Sequence, residues 1–189
     1  MTLMSQPDEK SLEVATLAGG CFWCTEAAFS IIKGVERIEP GYTGGVVLNP
    51  TYEQVSTGST GHAEAAQIFF DPKVITFREI LEIFFTMHDP TSLNRQGGDV
   101  GTQYRSAIFY HNQAQQETAE KLIGELNHEG IWDKPIVTAV EPLKAFYKAE
   151  TYHKDYYKKH PKEPYCQAVI APKIAKLQQR FIDKIKVPL

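Results

Sequence analysis

"LEVATLAGGCFWCTEAAF", residues 12–29, is the stretch on which the fold turns. Residues 12–18 read as a strand that runs into Gly19-Gly20. A helix starts near Cys21 and runs to about Lys33, where Gly34 stops it. Residues 35–42, "VERIEPGY", supply the next strand, so the segment lays down a strand, a helix and a strand in succession. Working outward, a Gly/Asn/Pro-rich loop leads to a third strand over 62–70, which Asp71-Pro72 breaks. Thr76 and Glu79 form a capping-box pattern at the start of a helix over 76–87. A long glycine-bearing loop over 89–104 follows, of a length more often functional than idle. Then come a strand over 105–111, a helix over 112–129 capped by Asn112 and closed by Gly130, and a strand over 135–141. The tail holds a polar-aromatic helix near 149–159 and an amphipathic helix near 172–186.

The order β-α-β-β-α-β is the split-βαβ, ferredoxin-like arrangement. It predicts an α+β two-layer sandwich, a mixed sheet with helices on one face and a C-terminal helical extension. Residues 1–10 read as a flexible polar tail, and residues 11–189 as a single catalytic domain. The chain has 189 residues and a formal net charge of -3, which offers no electrostatic grip on nucleic acid. No secretory signal and no membrane-spanning run is legible. Its three cysteines are an odd set, two of them within one helical turn, as expected of a reduced, cytoplasmic chain with reactive thiols.

Cys21 follows two glycines and opens a helix, where backbone amides favour a thiolate. The plainer reading is a half-buried apolar cysteine. Cys24 makes a Cys-x-x-Cys pair, used for metal ligation or for thiol-disulfide exchange. A zinc site needs two further ligands at similar spacing; Cys166 is alone, and His153 and His160 are too widely spaced, so no metal is expected. Phe22 and Trp23 between the thiols form either an apolar wall beside the nucleophile, fit for a methyl group, or a core anchor for the helix start. Glu64 stands in an otherwise apolar strand, where desolvation makes a carboxyl a general acid near neutrality. Asp99 lies between glycines on the long loop, with Tyr104 at its end, and Tyr52 follows an Asn-Pro turn as a hydroxyl donor. Each of these also has a bland reading as a turn or strand-edge residue. His62 offers a base for a Cys-His hydrolase. Cys21 and Cys24 by themselves would serve a general disulfide oxidoreductase, and the aromatic wall without the thiols would serve a non-catalytic peptide-binding module.

In combination, "GGCFWCTEAAF", "GYTGG", "NPTYEQVSTGSTGHAE", "DPTSLNRQGGDVGTQYRSAIFY" and "YCQAVIAPK" resemble the A-type peptide methionine sulfoxide reductases from about Ala15 to Lys176. The resemblance implies reduction of the S epimer of methionine sulfoxide, free or in proteins. It implies Cys21 as the nucleophile that becomes a sulfenic acid, and Phe22 and Trp23 as the methyl-binding wall. It implies Glu64 as the acid, Tyr52 and Tyr104 as hydroxyls on the oxygen, and Asp99 as a polar organiser acting through water. It also implies no bound cofactor, regeneration by thioredoxin or by dithiothreitol in vitro, and a monomer. Many family members have glycine at the position of Cys24 and a resolving cysteine in the C-terminal tail. Here the resolving thiol is Cys24 or Cys166, with Cys24 favoured because one helical turn brings its Cα within disulfide range.

Overall fold

The computed structural model describes residues 11–186. The expected tail over 1–10 lies outside the described residues. Among the described residues eight strands and six α-helices follow in chain order: β1 (Glu13–Gly19), α1 (Phe22–Ser30), β2 (Val35–Thr43), α2 (Tyr52–Ser56), β3 (Ala63–Phe70), α3 (Phe77–Met87), β4 (Arg95–Gln96), β5 (Asp99–Val100), β6 (Ser106–Tyr110), α4 (Gln113–Glu129), β7 (Ala139–Pro142), β8 (Phe146–Lys148), α5 (Tyr156–Lys159) and α6 (Ala171–Arg180). The main sheet has the order β7-β6-β1-β3-β2-β8. β3 lies between β1 and β2, antiparallel to both, which is the strand insertion expected of a split βαβ unit. β6 runs antiparallel to β1 and parallel to β7, so the sheet is mixed.

Alternation within the strands separates two apolar layers. Ala15, Leu17, Ala66, Ile68, Phe70 and Ile108 face the helices. Ala18, Ala63, Ala65, Ala107 and Phe109 face the other way, under Leu143 and Phe146. The amphipathic α3 fills the first layer with Phe77, Ile80, Leu81, Phe84 and Met87, which recur at the three- and four-residue spacing of one helix face. Each such side chain contributes about 1.5–3 kcal/mol on burial. Gly19 admits this packing at the end of β1: a Cβ there would lie 2.8 Å from the Phe84 ring.

Thr76 caps α3 as expected, but the capping box is only half formed. The Glu79 carboxylate turns instead to the Thr76 hydroxyl and to Lys184. Asn112 and Gly130 bound α4 as the sequence predicts, with Gly130 left-handed at φ 66. Other boundaries differ. α1 ends at Ser30 rather than Lys33, and β7 is displaced four residues along the chain from the expected start at 135. The expected helix near 149–159 is broken into a 3-10 turn at Thr151–His153 and the short α5, because Asp155 takes a left-handed φ of 54. The expected helix over 172–186 ends at Arg180; a 3-10 turn and a bridge from Ile185 to Ile32 then tie the chain back to the end of α1. Among the described residues no helix is long and apolar enough to cross a membrane.

Candidate active site

β1 delivers Cys21 to the start of α1. Gly20 makes the turn at φ 96, and a Cβ on it would meet the Gln96 side chain at 2.8 Å. Cys21 occupies the N-cap position with its carbonyl accepting from the Cys24 N–H at 3.0 Å. Its thiol is nearly buried and makes no capping hydrogen bond to α1, although the neighbouring Trp23 N–H favours the thiolate. The Trp23 amide is the one neighbour that favours ionisation. Burial nevertheless outweighs it and raises the Cys21 thiol well above its ordinary value, with the Cys24 hydrogen bond and the Glu64 charge adding to the effect. The expectation of a resting thiolate held on Cys21 is corrected on that ground.

Cys24 shows the opposite direction. The hydrogen bond with Cys21 lowers it to about 7 against the effect of burial, and Lys173 and Tyr165 assist. The two thiols form one titrating pair, whose first proton leaves with the charge on the Cys24 side. Cys166 is fully buried in a single π-helical turn, Cys166–Ile170, in the same apolar cluster as Cys21 and Cys24. All three cysteines are free.

β3 carries Glu64 opposite Tyr42 of β2, with its side chain on the helix-bearing side of the sheet. The carboxyl is 2% exposed and accepts the Phe22 N–H at 3.2 Å. Burial pushes it up to about 8, more than the Phe22 N–H draws it down, so at neutral pH it holds a proton. Tyr52 opens α2, whose capping box of Thr51 and Gln54 lies within the stretch expected to be a loop. Tyr104 ends the 3-10 turn Thr102–Tyr104. Both phenols are raised first by burial and then by the Glu64 charge, so both hydroxyls stay protonated beside that carboxyl. Asp99 sits on the β4–β5 hairpin, a small sheet inside the long loop expected over 89–104, and its Oδ2 accepts from the Tyr165 hydroxyl at 2.7 Å.

The two aromatics of the Cys-x-x-Cys spacer divide their roles. Phe22 is buried against Tyr42 and His153, at ring-centroid distances of 5.7 and 5.0 Å. Trp23 is half-buried, stacked on Tyr156 at 3.6 Å and 5° and edge-on to Tyr165. Its indole N–H donates to His153 Nδ1 at 3.1 Å.

Sequence reasoning misses the layer of residues behind these. Glu150 accepts from the Tyr42 hydroxyl and from the Tyr52 N–H, each at 3.0 Å, fixing both tyrosines. Glu26, buried on α1, accepts the Asp155 N–H at 2.7 Å and so anchors the start of α5, which carries Tyr156 to Trp23. Burial pushes Glu26 up to about 7. The only trace of this layer in the sequence is the run "AETYHKDYYKKH", with the pattern of a polar-aromatic helix.

His62 is not part of the site. Its Nδ1 accepts from the Gly45 N–H and its Nε2 donates to the Val47 carbonyl, so both ring nitrogens pin the loop after β2. A hydrolase base is thereby excluded at this position. Among the described residues no cluster of His, Cys, Asp and Glu is arranged to hold a metal ion.

A family model described as peptide methionine sulfoxide reductase matches residues 13–185. A peptide methionine sulfoxide reductase MsrA of Saccharolobus solfataricus is 57% identical over 176 residues, covering 93% of this chain and 98% of the relative. One from Deinococcus radiodurans is 55% identical over 174 residues, covering 92% and 84% respectively. The crystal structure of reduced Mxr1 from Saccharomyces cerevisiae superposes with a TM-score of 0.78 at 36% identity, covering 88% of this chain and 95% of that one. Mxr1 in complex with Trx2 gives a TM-score of 0.55 at 28% identity, covering 82% and 92%.

Proposed function

The chain belongs to the peptide methionine sulfoxide reductase family and is a methionine sulfoxide-reducing enzyme; from that premise we propose how its residues perform the reaction. The observation that carries the mechanism is the protonated, buried Glu64 hydrogen-bonded to the residue next to Cys21. A sulfoxide placed with its methyl on Phe22 and Trp23 turns its oxygen to Glu64 and to the Tyr52 and Tyr104 hydroxyls. Cys21 sulfur attacks the sulfoxide sulfur while Glu64 protonates the oxygen, a form of oxyanion stabilisation. Glu64 regains a proton from the Cys21 thiol, and the oxygen ends on Cys21 as a sulfenic acid as the sulfide leaves. Two electrons pass from the thiol sulfur to the substrate sulfur. The methyl wall and the oxygen pole occupy different directions about a stereogenic sulfur, which favours one epimer, the S form. Asp99 organises the oxygen side.

The sulfenic acid then condenses with a nearby thiol to a disulfide and water. Cys24, one helical turn from Cys21 in the same buried cluster, is the proposed resolver, and Cys166 is the other thiol of the cluster. An external dithiol reopens the disulfide by exchange. By analogy with the yeast relative that forms a complex with Trx2, this reductant is thioredoxin, with dithiothreitol replacing it in vitro and no bound cofactor required. The reading takes residues 11–189 as one catalytic domain acting as a monomer in the reducing cytoplasm, without nucleic acid or membrane partners.

The test supplies the separate R and S epimers of methionine sulfoxide with dithiothreitol. Cys21→Ser abolishes turnover of the S epimer and Glu64→Gln lowers it by about 10²-fold or more. Undiminished turnover in Cys21→Ser refutes the mechanism. Mapping the disulfide after one turnover identifies the resolver, and a Cys21–Cys166 bond overturns the choice of Cys24.

A further inference from the structure

Closing the disulfide requires Cys24, a residue only 1% exposed, to lose its proton inside an apolar cluster. In the resting enzyme Cys21 shares hydrogen with it, but that S–H no longer exists once Cys21 is a sulfenic acid. The hydrogen-bonding neighbour that stays is the Tyr165 hydroxyl, 3.7 Å from Cys24 Sγ, a length ordinary for sulfur, while Lys173 acts on Cys24 through its charge alone. A phenol has one proton, and Tyr165 spends it on Asp99 Oδ2 at 2.7 Å. With that proton donated to Asp99 the phenol oxygen is free to accept from the neutral Cys24 S–H, and once Cys24 is a thiolate the hydroxyl donates to the sulfur instead, which is how it lowers the thiol. Asp99 is half-exposed at the β4–β5 hairpin, open to water. Thiol, phenol and carboxylate thus form a directed chain from the buried sulfur to solvent.

We propose that Tyr165 and Asp99 are the proton exit of the resolving step, carrying the Cys24 proton outward as the disulfide closes. The inference rests on the reading that Cys24 resolves. As the Cys24 electron pair forms the S–S bond, the Cys21 S–O bond breaks. The Cys24 proton passes to the Tyr165 oxygen while the Tyr165 proton passes to Asp99. The departing hydroxyl takes the Glu64 proton and leaves as water. Asp99 then releases a proton to solvent and Glu64 regains one, so that sulfenic acid plus thiol become disulfide plus water. Burial and the neighbouring charges hold the Tyr165 phenol far above its ordinary value, which makes it a wire and not a store. This role differs from the packing of Tyr165 edge-on to Trp23, which concerns the methyl wall and hence the first step.

Single turnover with S-methionine sulfoxide and no reductant separates the two steps. Methionine release reports the first. Decay of the sulfenic acid, trapped with a cyclic 1,3-diketone and weighed by mass spectrometry, reports the second. In Tyr165→Phe and in Asp99→Asn the second rate falls relative to the first by about tenfold or more, and sulfenic acid accumulates. The double variant falls no further than Tyr165→Phe, because both residues serve one path. A wild-type ratio of the two rates in either variant overturns the relay. If in that case the bond mapped is still Cys21–Cys24, the assignment of the resolver survives. A Cys21–Cys166 bond in the wild type overturns that assignment and the relay with it.

Discussion

Replacing Glu64 by Gln should make the protein less active and, in a defined pH window, more stable relative to wild type. The carboxyl is 2% exposed and is raised by burial from an ordinary 4.5 to about 8. The folded protein therefore keeps a proton that the unfolded chain gives up between those values. A raised folded value gives a contribution that is full below the unfolded value and is lost as pH rises through the folded one. Each pH unit inside the window costs wild type up to ~1.4 kcal/mol that the uncharged Gln does not lose. Between pH 5 and pH 7 the variant should thus gain about 2–3 kcal/mol on wild type. Urea unfolding of both proteins across that range, with the difference in free energy plotted against pH, measures the effect directly. The comparison cancels every other titrating group that the two share. A difference that stays constant with pH refutes the argument, because it means that Glu64 folds as a carboxylate and is no proton donor at neutrality.

The same shift governs catalysis. kcat/KM for wild type should fall as pH rises past about 8, where Glu64 loses its proton, and a steady-state profile of Glu64→Gln should lack that limb. Tyr156→Leu removes the ring stacked on Trp23 at 3.6 Å, and such a pair is worth about 0.5–1.5 kcal/mol. KM for S-methionine sulfoxide should therefore rise by about 2–10-fold with a smaller change in kcat. Gly20→Ala places a Cβ 2.8 Å from the Gln96 side chain at a φ of 96. It should lower stability by about 1–3 kcal/mol in thermal unfolding and slow single-turnover methionine release, since Cys21 hangs on that turn.

What is legible in the sequence is what is encoded locally. Thr76 and Asn112 place their oxygens on N–H groups three residues on, and Gly130 takes the left-handed closing position, so α3 and α4 announce themselves. Thr51 and Gln54 carry the same signal for α2, but it is hidden in a loop rich in turn residues. The stretch 149–159 has helical spacing and still breaks, because the acceptor for the Asp155 N–H is Glu26, on another element. β8 is three residues long and exists only by pairing with β2. The site divides in the same way. Cys21, Phe22, Trp23 and Glu64 stand in short patterns with chemical meaning. His153 reaches Trp23 across 130 positions and Tyr165 reaches Cys24 across 141, and no local pattern reports such contacts.

The reversal at Cys21 also changes how the site is to be understood. A helix start alone would leave a thiolate waiting, exposed to any oxidant that reaches it. In this structure burial keeps the Cys21 proton on, and burial likewise keeps the Glu64 proton on. A thiolate and a carboxylate side by side in that cluster are disfavoured, so at neutral pH both groups hold their protons. An arriving sulfoxide supplies what is missing, a basic oxygen for the Glu64 proton. Once Glu64 has given that proton it becomes the base nearest the Cys21 thiol, and it recovers a proton from the sulfur as the sulfur attacks. Activation of the nucleophile is then a consequence of substrate protonation and not a resting property of the cysteine.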